Sequence, residues 1–153
     1  MAADDVRLVS SGPGDGAAVL ALARESFAPY VERMGKRPAP MDVDYEPLAA
    51  AGRMLLAWSG TRLVGMLLTA MRPTALFLDT IAVAPEMQRT GLGARLMSAA
   101  EVRARSAGLA RIELYTNALM SENLAYYPRL GYEEVGRRVD EGFDRVFFAK
   151  QLD

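Results

Sequence analysis

An apolar stretch followed by a proline and a glycine-rich turn restricts the folds open to this chain. Residues 75–83 are apolar on both faces of a strand, with Asp79 as the one charged residue, which is typical of a central strand covered on both sides. Pro85 ends the strand. Small and apolar residues from Gly91 to Ala107 then recur at spacings of three and four, which predicts a helix. This apolar strand followed by a helix predicts a mixed α/β fold.

Apolar alternation and turn residues predict the other elements. The predicted strands are residues 6–9, 53–58, 63–71, 75–83, 112–116, 132–139 and 143–150. The predicted helices are residues 17–27, 46–51, 91–107 and 121–130. Asp15 is the predicted N-cap of the first helix. Residues 28–45 are predicted to be a long irregular segment, either functional or a plain surface connector. With 153 residues, the chain is expected to form one domain over residues 1–153.

Two absences in the composition exclude whole classes of chemistry. The sequence contains no histidine and no cysteine. Disulfides, zinc, iron–sulfur and haem sites built on these residues, cysteine nucleophiles and Ser-His-Asp triads are therefore excluded. Catalysis would have to use carboxylates, tyrosine, lysine, serine, backbone amides or a hard metal held by carboxylates.

The charge balance and the apolar runs bear on partners and location. Eighteen basic and nineteen acidic residues give a net charge of -1, which does not favour binding of nucleic acid. The longest apolar run, residues 63–71, is much shorter than the roughly 20 residues that cross a membrane. The amino terminus also lacks the pattern of a signal peptide. We expect a cytoplasmic protein that binds neither nucleic acid nor membrane.

The turn before the third predicted helix has the features of a phosphate-binding loop. Unpaired amides and the dipole at a helix N-terminus attract anions, and Gly91 and Gly93 allow the backbone to approach them closely. The chain has no Walker A motif, and Leu96 stands where a dinucleotide-binding motif needs its third glycine. The alternative is that these glycines only ease a tight turn between strand and helix.

Two motifs, together with the order of the elements, resemble the GNAT superfamily of acyl-CoA-dependent N-acetyltransferases. The motifs are Gln88-x-x-Gly91-x-Gly93 and Tyr127-x-x-x-Gly131. The resemblance covers nearly the whole chain. It implies an α/β (α+β) fold with a mixed, mostly antiparallel sheet of about seven strands, flanked by helices on both faces. It also implies acetyl-CoA as the acyl donor, with no metal. The implied activity is transfer of an acetyl group to a primary amine.

The resemblance also implies which residues bind coenzyme A. Backbone amides of the loop would hold its pyrophosphate, and the end of the preceding strand would offer main-chain groups to the pantetheine arm. Because the loop contacts are main-chain, replacing the Leu92 side chain is expected to have little effect. The cofactor-binding residues are Ile81, Ala82, Val83, Gln88, Arg89, Thr90, Gly91, Leu92, Gly93, Ala94, Asn117, Asn123 and Tyr127.

Asp79 and Tyr127 are the predicted catalytic residues. A carboxylate in so apolar a strand is costly to bury, so Asp79 is either a general base, acting directly or through water, or a structural residue at a strand bulge. In the family, a glutamate often stands near this point and a tyrosine at the Tyr127 position is thought to protonate the departing thiolate. The alternative for Tyr127 is packing of a helix onto the sheet. Pro128 is expected to disturb the helix at Tyr127.

The acceptor is expected to contact the early irregular segment. Its candidate binding residues are Tyr30, Arg33, Arg37, Met41 and Tyr45. The acceptor itself, a small molecule or a peptide amine, stays open. The leading hypothesis is direct acetyl transfer in a ternary complex, because the chain has no cysteine or histidine to carry the acetyl group. The alternative is a non-catalytic acyl-CoA sensor, and a homodimer through residues 132–150 is compatible with both.

Overall fold

The computed structural model of the chain describes residues 5–153. This range contains seven strands and four α-helices, and every strand and helix expected from the sequence is present with bounds shifted at the ends. The strands are β1 (Arg7–Ser10), β2 (Met54–Ser59), β3 (Arg62–Met71), β4 (Leu76–Val83), β5 (Arg111–Asn117), β6 (Glu133–Asp140) and β7 (Phe143–Gln151). The helices are α1 (Gly16–Met34), α2 (Glu46–Ala50), α3 (Leu92–Ser106) and α4 (Ser121–Arg129).

The strands follow the order β1-β2-β3-β4-β5-β7-β6 in one seven-stranded sheet. The pairs β1–β2, β2–β3, β5–β7 and β6–β7 are antiparallel, and β4 runs parallel to β5. The predicted fold class, α/β with a mostly antiparallel sheet, is confirmed. The register of β4 with β5 is regular from Leu76–Ile112 to Leu78–Leu114.

The described chain divides into two compact units, one of residues 5–69 with 80–99 and the other of residues 70–79 with 100–153. Strand β4 passes from the second unit to the first between Asp79 and Thr80. In the first unit, the buried side chains come mainly from α1, β2, β3 and the start of α3. In the second unit they come mainly from the first part of β4, from β5 and from β7, and α4 adds Tyr127. That residues 1–153 form a single domain stays a prediction.

Helix α1 is longer than the sequence suggested. The expectation of an irregular chain from residue 28 is wrong, since the helix continues through Pro29 to Met34. Phe27, Tyr30, Val31 and Met34 are half-buried at helical spacing, whereas Pro29 is exposed. Burial of this face therefore outweighs the hydrogen bond that the proline cannot make.

The N-terminus of α1 is capped from a distant part of the chain. Asp15 was expected to cap it, but the Asp15 side chain makes no capping bond and instead accepts the Gly12 N–H at 2.8 Å. The Glu46 carboxylate accepts the N–H groups of Gly14 and Gly16, at 2.9 and 2.8 Å. Gly16 permits this approach, because a Cβ at residue 16 would lie 2.6 Å from Glu46 Cα.

Replacing Glu46 with Gln is expected to lower the unfolding temperature at neutral pH, because the neutral amide accepts these N–H bonds more weakly. The bonds from Gly14 and Gly16 lower the pKa of Glu46 below its usual value of 4.5. Its contribution is therefore present above that value and is lost as the pH falls through the lower pKa of the folded state. Thermal unfolding from pH 7 to pH 3 should show the two proteins converging. The matched variant Glu32→Gln, at an exposed residue of the capped helix α1, should show no such convergence.

Candidate functional site

A tight loop brings the chain from β4 into α3. A single 3₁₀ turn over residues 85–87 is followed by two residues with positive φ, Arg89 at 64° and Gly91 at 91°. The first main-chain bond of the helix runs from the Arg95 N–H to the Gly91 carbonyl, at 3.1 Å. The amides of residues 92–94 precede that bond, as the first amides of a helix do. Together they form a group of donors at the positive end of the helix dipole.

The space beside this loop is open on the Gly91 side. A Cβ built on Gly91 would have no atom within 4 Å. The glycine is therefore not needed to avoid a clash within the chain, although its φ of 91° is one that other residues rarely adopt. The loop can thus receive a ligand close to its backbone.

The helix N-terminus is held against the sheet by buried leucines. Leu92 and Leu96 have no solvent exposure. They lie against Gly65 of β3, where an added Cβ would be 3.2 Å from a methyl of each. The expectation that replacing the Leu92 side chain has little effect on cofactor binding stays a prediction. For stability this side chain matters, because it anchors the start of α3.

Two side chains of the loop bond to main-chain carbonyls, and two others are exposed. Gln88 Nε2 donates to the Val83 carbonyl at 3.5 Å, and Thr90 Oγ1 donates to the Met87 carbonyl at 2.5 Å. Arg89 and Ala94 are exposed. The side chains of Gln88 and Thr90 thus bond to carbonyls of the chain itself, at Val83 of β4 and at Met87.

The end of β4 presents its backbone alternately to its two sides. The Ala84 N–H donates to the Val64 carbonyl of β3 at 2.8 Å, so the backbone groups of Ala82 also face β3. Those of Ile81 and Val83 face the opposite side. The Val83 carbonyl also accepts Ser26 Oγ at 3.1 Å, which leaves the Ile81 backbone as the better candidate for a pantetheine contact.

Asp79 lies next to the paired stretch of β4 and β5 in the second unit. Its side chain is exposed, so the expectation that this carboxylate is buried in an apolar strand is wrong. No bulge interrupts the neighbouring register at residues 76–78. Burial raises the pKa of Tyr115, Arg145 lowers it, and the negative charge of Asp79 raises it further. Asp79 is therefore a solvent-accessible base candidate beside a tyrosine.

Tyr115 is a feature that the sequence analysis missed. Its ring stacks on Phe77 of β4 with centroids 5.6 Å apart and lies 5.7 Å from the ring of Phe147 on β7. The guanidinium of Arg145 stands 4.1 Å over the Tyr115 ring and is bound by Asp140 at 2.9 Å. Alternate half-burial along β5 places Tyr115 on the half-exposed face of that strand. Only the alternation of residues 111–117 could have indicated this from sequence.

Tyr127 belongs to an aromatic cluster. It is buried, and its ring lies 5.6–5.8 Å from the rings of Tyr126, Tyr132 and Phe148. Helix α4 includes both Tyr127 and Pro128, so the expected disturbance of the helix at Tyr127 is wrong. Burial raises the pKa of Tyr126 and, more strongly, that of Tyr132.

Asn117 and Asn123 have local partners. Asn117 Oδ1 accepts the Leu119 N–H at 2.9 Å, which stabilises the turn after β5. Asn123 Nδ2 donates to Thr116 Oγ1 at 3.0 Å, which ties the start of α4 to β5. The two side chains position the segment that leads to Tyr127.

The predicted acceptor residues fall into two groups. Tyr45 and Met41 are buried, and the Tyr45 hydroxyl donates to the Pro40 carbonyl at 2.6 Å, so neither side chain is open to an acceptor. Arg37 is bound by both oxygens of Asp42, which raises its pKa. The guanidinium of Arg33 lies 5.1 Å over the Tyr30 ring, so this pair remains the candidate.

The predicted site residues thus fall into two sets. The loop and the end of β4 lie in the first unit, and Asp79, Asn117, Asn123 and Tyr127 lie in the second. Within residues 5–153, no three side chains of the metal-ligating types come together. No helix in the same range has the length and apolar composition of a membrane span.

Comparisons with known proteins show the family through a family model and the fold through solved structures. The model of the acetyltransferase (GNAT) family matches residues 19–132. No curated protein matches the chain in sequence. Among solved structures, the PaiA N-acetyltransferase of Thermoplasma acidophilum in complex with coenzyme A is 16% identical, with a TM-score of 0.76 over 96% of this chain and 99% of its own.

Two further structures have the same fold. The ribosomal-protein-S18-alanine N-acetyltransferase of Escherichia coli is 19% identical, with a TM-score of 0.75 over 97% of this chain and 94% of its own. Ard1 of Thermoplasma volcanium is 14% identical, with a TM-score of 0.78 over 97% of this chain and 99% of its own.

Proposed function

Because this chain belongs to the acetyltransferase (GNAT) family, we propose that it transfers an acetyl group from acetyl-CoA directly to a primary amine in a ternary complex. The observation that carries the proposal is the group of amides at residues 92–94, at the N-terminus of α3 and inside the part of the chain that the family model matches. Acetyl-CoA supplies an activated acetyl group as its thioester.

The residues of the loop fit the diphosphate of coenzyme A. The amides of residues 92–94 would donate to its oxygens, with the helix dipole favouring the negative charge. The open space beside Gly91 would receive the diphosphate close to the backbone. The Ile81 backbone, on the side of β4 away from β3, would hold the pantetheine arm. The predicted roles of Ala82 and Val83 have less support, because their backbone groups face β3 or already accept a side chain.

Gly91→Val is expected to weaken acetyl-CoA binding about 10- to 100-fold, the equivalent of one lost charge-assisted hydrogen bond of roughly 1.5–3 kcal/mol. The side chain would enter the space proposed for the diphosphate. Isothermal titration calorimetry gives the dissociation constant. Gly108→Val is the matched control, because Gly108 follows the other end of α3, has a φ of 74° and also has no atom within 4 Å of an added Cβ. Equal affinities of the two variants would refute the assignment.

Asp79 is proposed to take the proton from the acceptor ammonium through a water molecule. Its exposed position in β4 supports a water relay, since solvent reaches the carboxylate. Tyr115 lies near enough for the charge of Asp79 to raise its pKa, and we propose that it positions this water or the acceptor.

Tyr127 is proposed to donate a proton to the departing thiolate. Its aromatic neighbours hold the ring, and Asn123 fixes the start of its helix. Tyr127→Phe, which keeps the ring, is expected to lower kcat about tenfold, less than the roughly 10²–10⁴-fold typical of a general acid, because a thiolate leaves readily. Tyr126→Phe is the control with the same chemical change. An equal kcat for both variants would mean that Tyr127 only packs the core.

The acceptor is proposed to be a small-molecule or peptide amine. Arg33 over Tyr30 offers a cation on an aromatic surface, which suits an acceptor that also carries a carboxylate. A protein acceptor is named for one of the similar structures, the ribosomal-protein-S18-alanine N-acetyltransferase of Escherichia coli. A thiol-release assay with amino acids, polyamines and peptides of varied first residue would identify the class.

The kinetic pattern tests direct transfer. With no histidine or cysteine to hold an acetyl group, initial rates at varied donor and acceptor should give intersecting double-reciprocal lines. Parallel lines would contradict direct transfer. Tight binding of acetyl-CoA with no turnover on any amine would instead favour the acyl-CoA sensor.

A further inference from the structure

Strand β6 ends the sheet order, so one of its edges has no neighbouring strand within residues 5–153. The strand is eight residues long and exposed along nearly its whole length. Val135 and Val139 are 55% and 72% exposed. An edge of this kind displays backbone donors and acceptors that can pair with another strand.

The charges along β6 are self-complementary. Residues 133–138 read Glu-Glu-Val-Gly-Arg-Arg, so the same segment read backwards has the opposite charge at each charged position. If two copies pair antiparallel about a two-fold axis between Val135 and Gly136, Glu134 lies opposite Arg137 of the second copy. Glu133 then lies opposite Arg138 of that copy. Opposite charges at facing positions stabilise a strand pair, and like charges destabilise it.

A β-bulge brings the central charges to one face. The register of β6 with β7 shifts between Glu134 and Gly136, which makes Val135 an extra residue. As a result, Glu134 and Arg137 share a face and form a two-pronged ion pair, with bonds of 2.9 and 3.1 Å. Across a two-fold axis, two such pairs would meet as a cluster of four alternating charges.

The hairpin turn shows which backbone groups face the open edge. Glu141 and Gly142 have φ of 52° and 78°, as in a two-residue type I′ turn, and Asp140 pairs with Phe143. In such a hairpin the closing pair is hydrogen-bonded, so the backbone of Asp140 faces β7. By alternation, Arg137 and Val139 face outward. Arg137 therefore offers both its backbone groups and its charge to a partner strand.

We infer that β6 is a homodimer interface, in which the strand pairs antiparallel with β6 of a second copy and extends the sheet across a two-fold axis. Charges and bulges commonly protect sheet edges from unwanted pairing. In β6 they reject most partner strands and registers, yet they match one arrangement of the same sequence. The inference does not depend on the proposed acetyl transfer.

Charge reversal tests this arrangement. Glu134→Arg places Arg opposite Arg, and Arg137→Glu places Glu opposite Glu, twice in each symmetric dimer. Sedimentation velocity of the full chain should show a wild-type dimer, with the dimer dissociation constant raised about tenfold or more in each single variant. An equimolar mixture of the two variants should dimerise again, because every facing pair is then complementary. The double variant Glu134→Arg with Arg137→Glu should dimerise by itself.

The control is Arg53→Glu, a charge reversal at an exposed residue just before β2, which should leave the dissociation constant unchanged. A monomeric wild type at high micromolar concentration would overturn the inference. A wild-type dimer that both single variants retain would also overturn it, because the interface would then lie elsewhere. Failure of the mixture to recover would refute the antiparallel register.

Discussion

Asp79→Asn should lower kcat about 10²–10⁴-fold, the range expected when a general base is removed, while the affinity for acetyl-CoA stays near that of the wild type. Asn keeps the shape of the side chain but cannot accept a proton. Because Asp79 is exposed, its replacement by Asn is not expected to destabilise the fold. A large loss of kcat would therefore not come from a folding defect. Steady-state thiol release with a saturating acceptor measures kcat.

Two comparison variants sharpen this test. Asp144→Asn makes the same change at an exposed residue of β7 and should leave kcat within about twofold, as is usual for a surface substitution outside the chemistry. Asp79→Glu should retain most of the activity if a water relays the proton, because water can bridge a changed gap. A pH–rate profile that Asp79→Asn leaves unaltered would remove Asp79 from the mechanism.

Leu92→Ala should lower the free energy of unfolding by about 2–5 kcal/mol, the usual cost of truncating a fully buried leucine. Leu92 has no solvent exposure and lies against Gly65, so its removal leaves a cavity where α3 meets β3. Urea denaturation gives the change. Acetyl-CoA affinity should also fall, because the amides of residues 92–94 are held in place by this side chain.

Val102→Ala is the matched control, since Val102 lies on the same helix but is 60% exposed. It should change stability by no more than about 0.5 kcal/mol. If Leu92→Ala were equally mild, the start of α3 would not be anchored by Leu92. A full loss of stability with unchanged affinity would show that the loop amides keep their positions without it.

Local sequence patterns predicted most elements of the fold but failed where distant contacts decide. Helix α1 was predicted to end near Phe27, because the helical pattern breaks after it, yet half-burial of Tyr30 and Met34 carries the helix further. The cap of α1 was assigned to the adjacent Asp15, whereas Glu46, thirty residues away, supplies it. Neither the buried face nor the distant carboxylate is visible in a short window of sequence.

The candidate site also has features that the local sequence predicted and features that depend on distant contacts. The loop with Gly91 before α3 was predicted from sequence, because strand, turn and helix follow one another along the chain. The pairing of Tyr115 with Phe77 and Arg145 could not be predicted, since it joins three strands. The apolar residues around Asp79 in the sequence suggested that its side chain is buried, whereas it is exposed. Solvent access could not be predicted, because it depends on what packs against the strand.

By itself, the sequence determined the α/β class, the glycine-containing loop before α3 and the limits on chemistry set by the absence of histidine and cysteine. These depend on residue identity and on spacings within one or two elements. Only the tertiary structure decided that Leu92 is an anchor, that Tyr45 is unavailable to an acceptor and that Asp79 meets solvent. Burial is a property of the packed chain, because it depends on elements brought together from distant parts of the sequence.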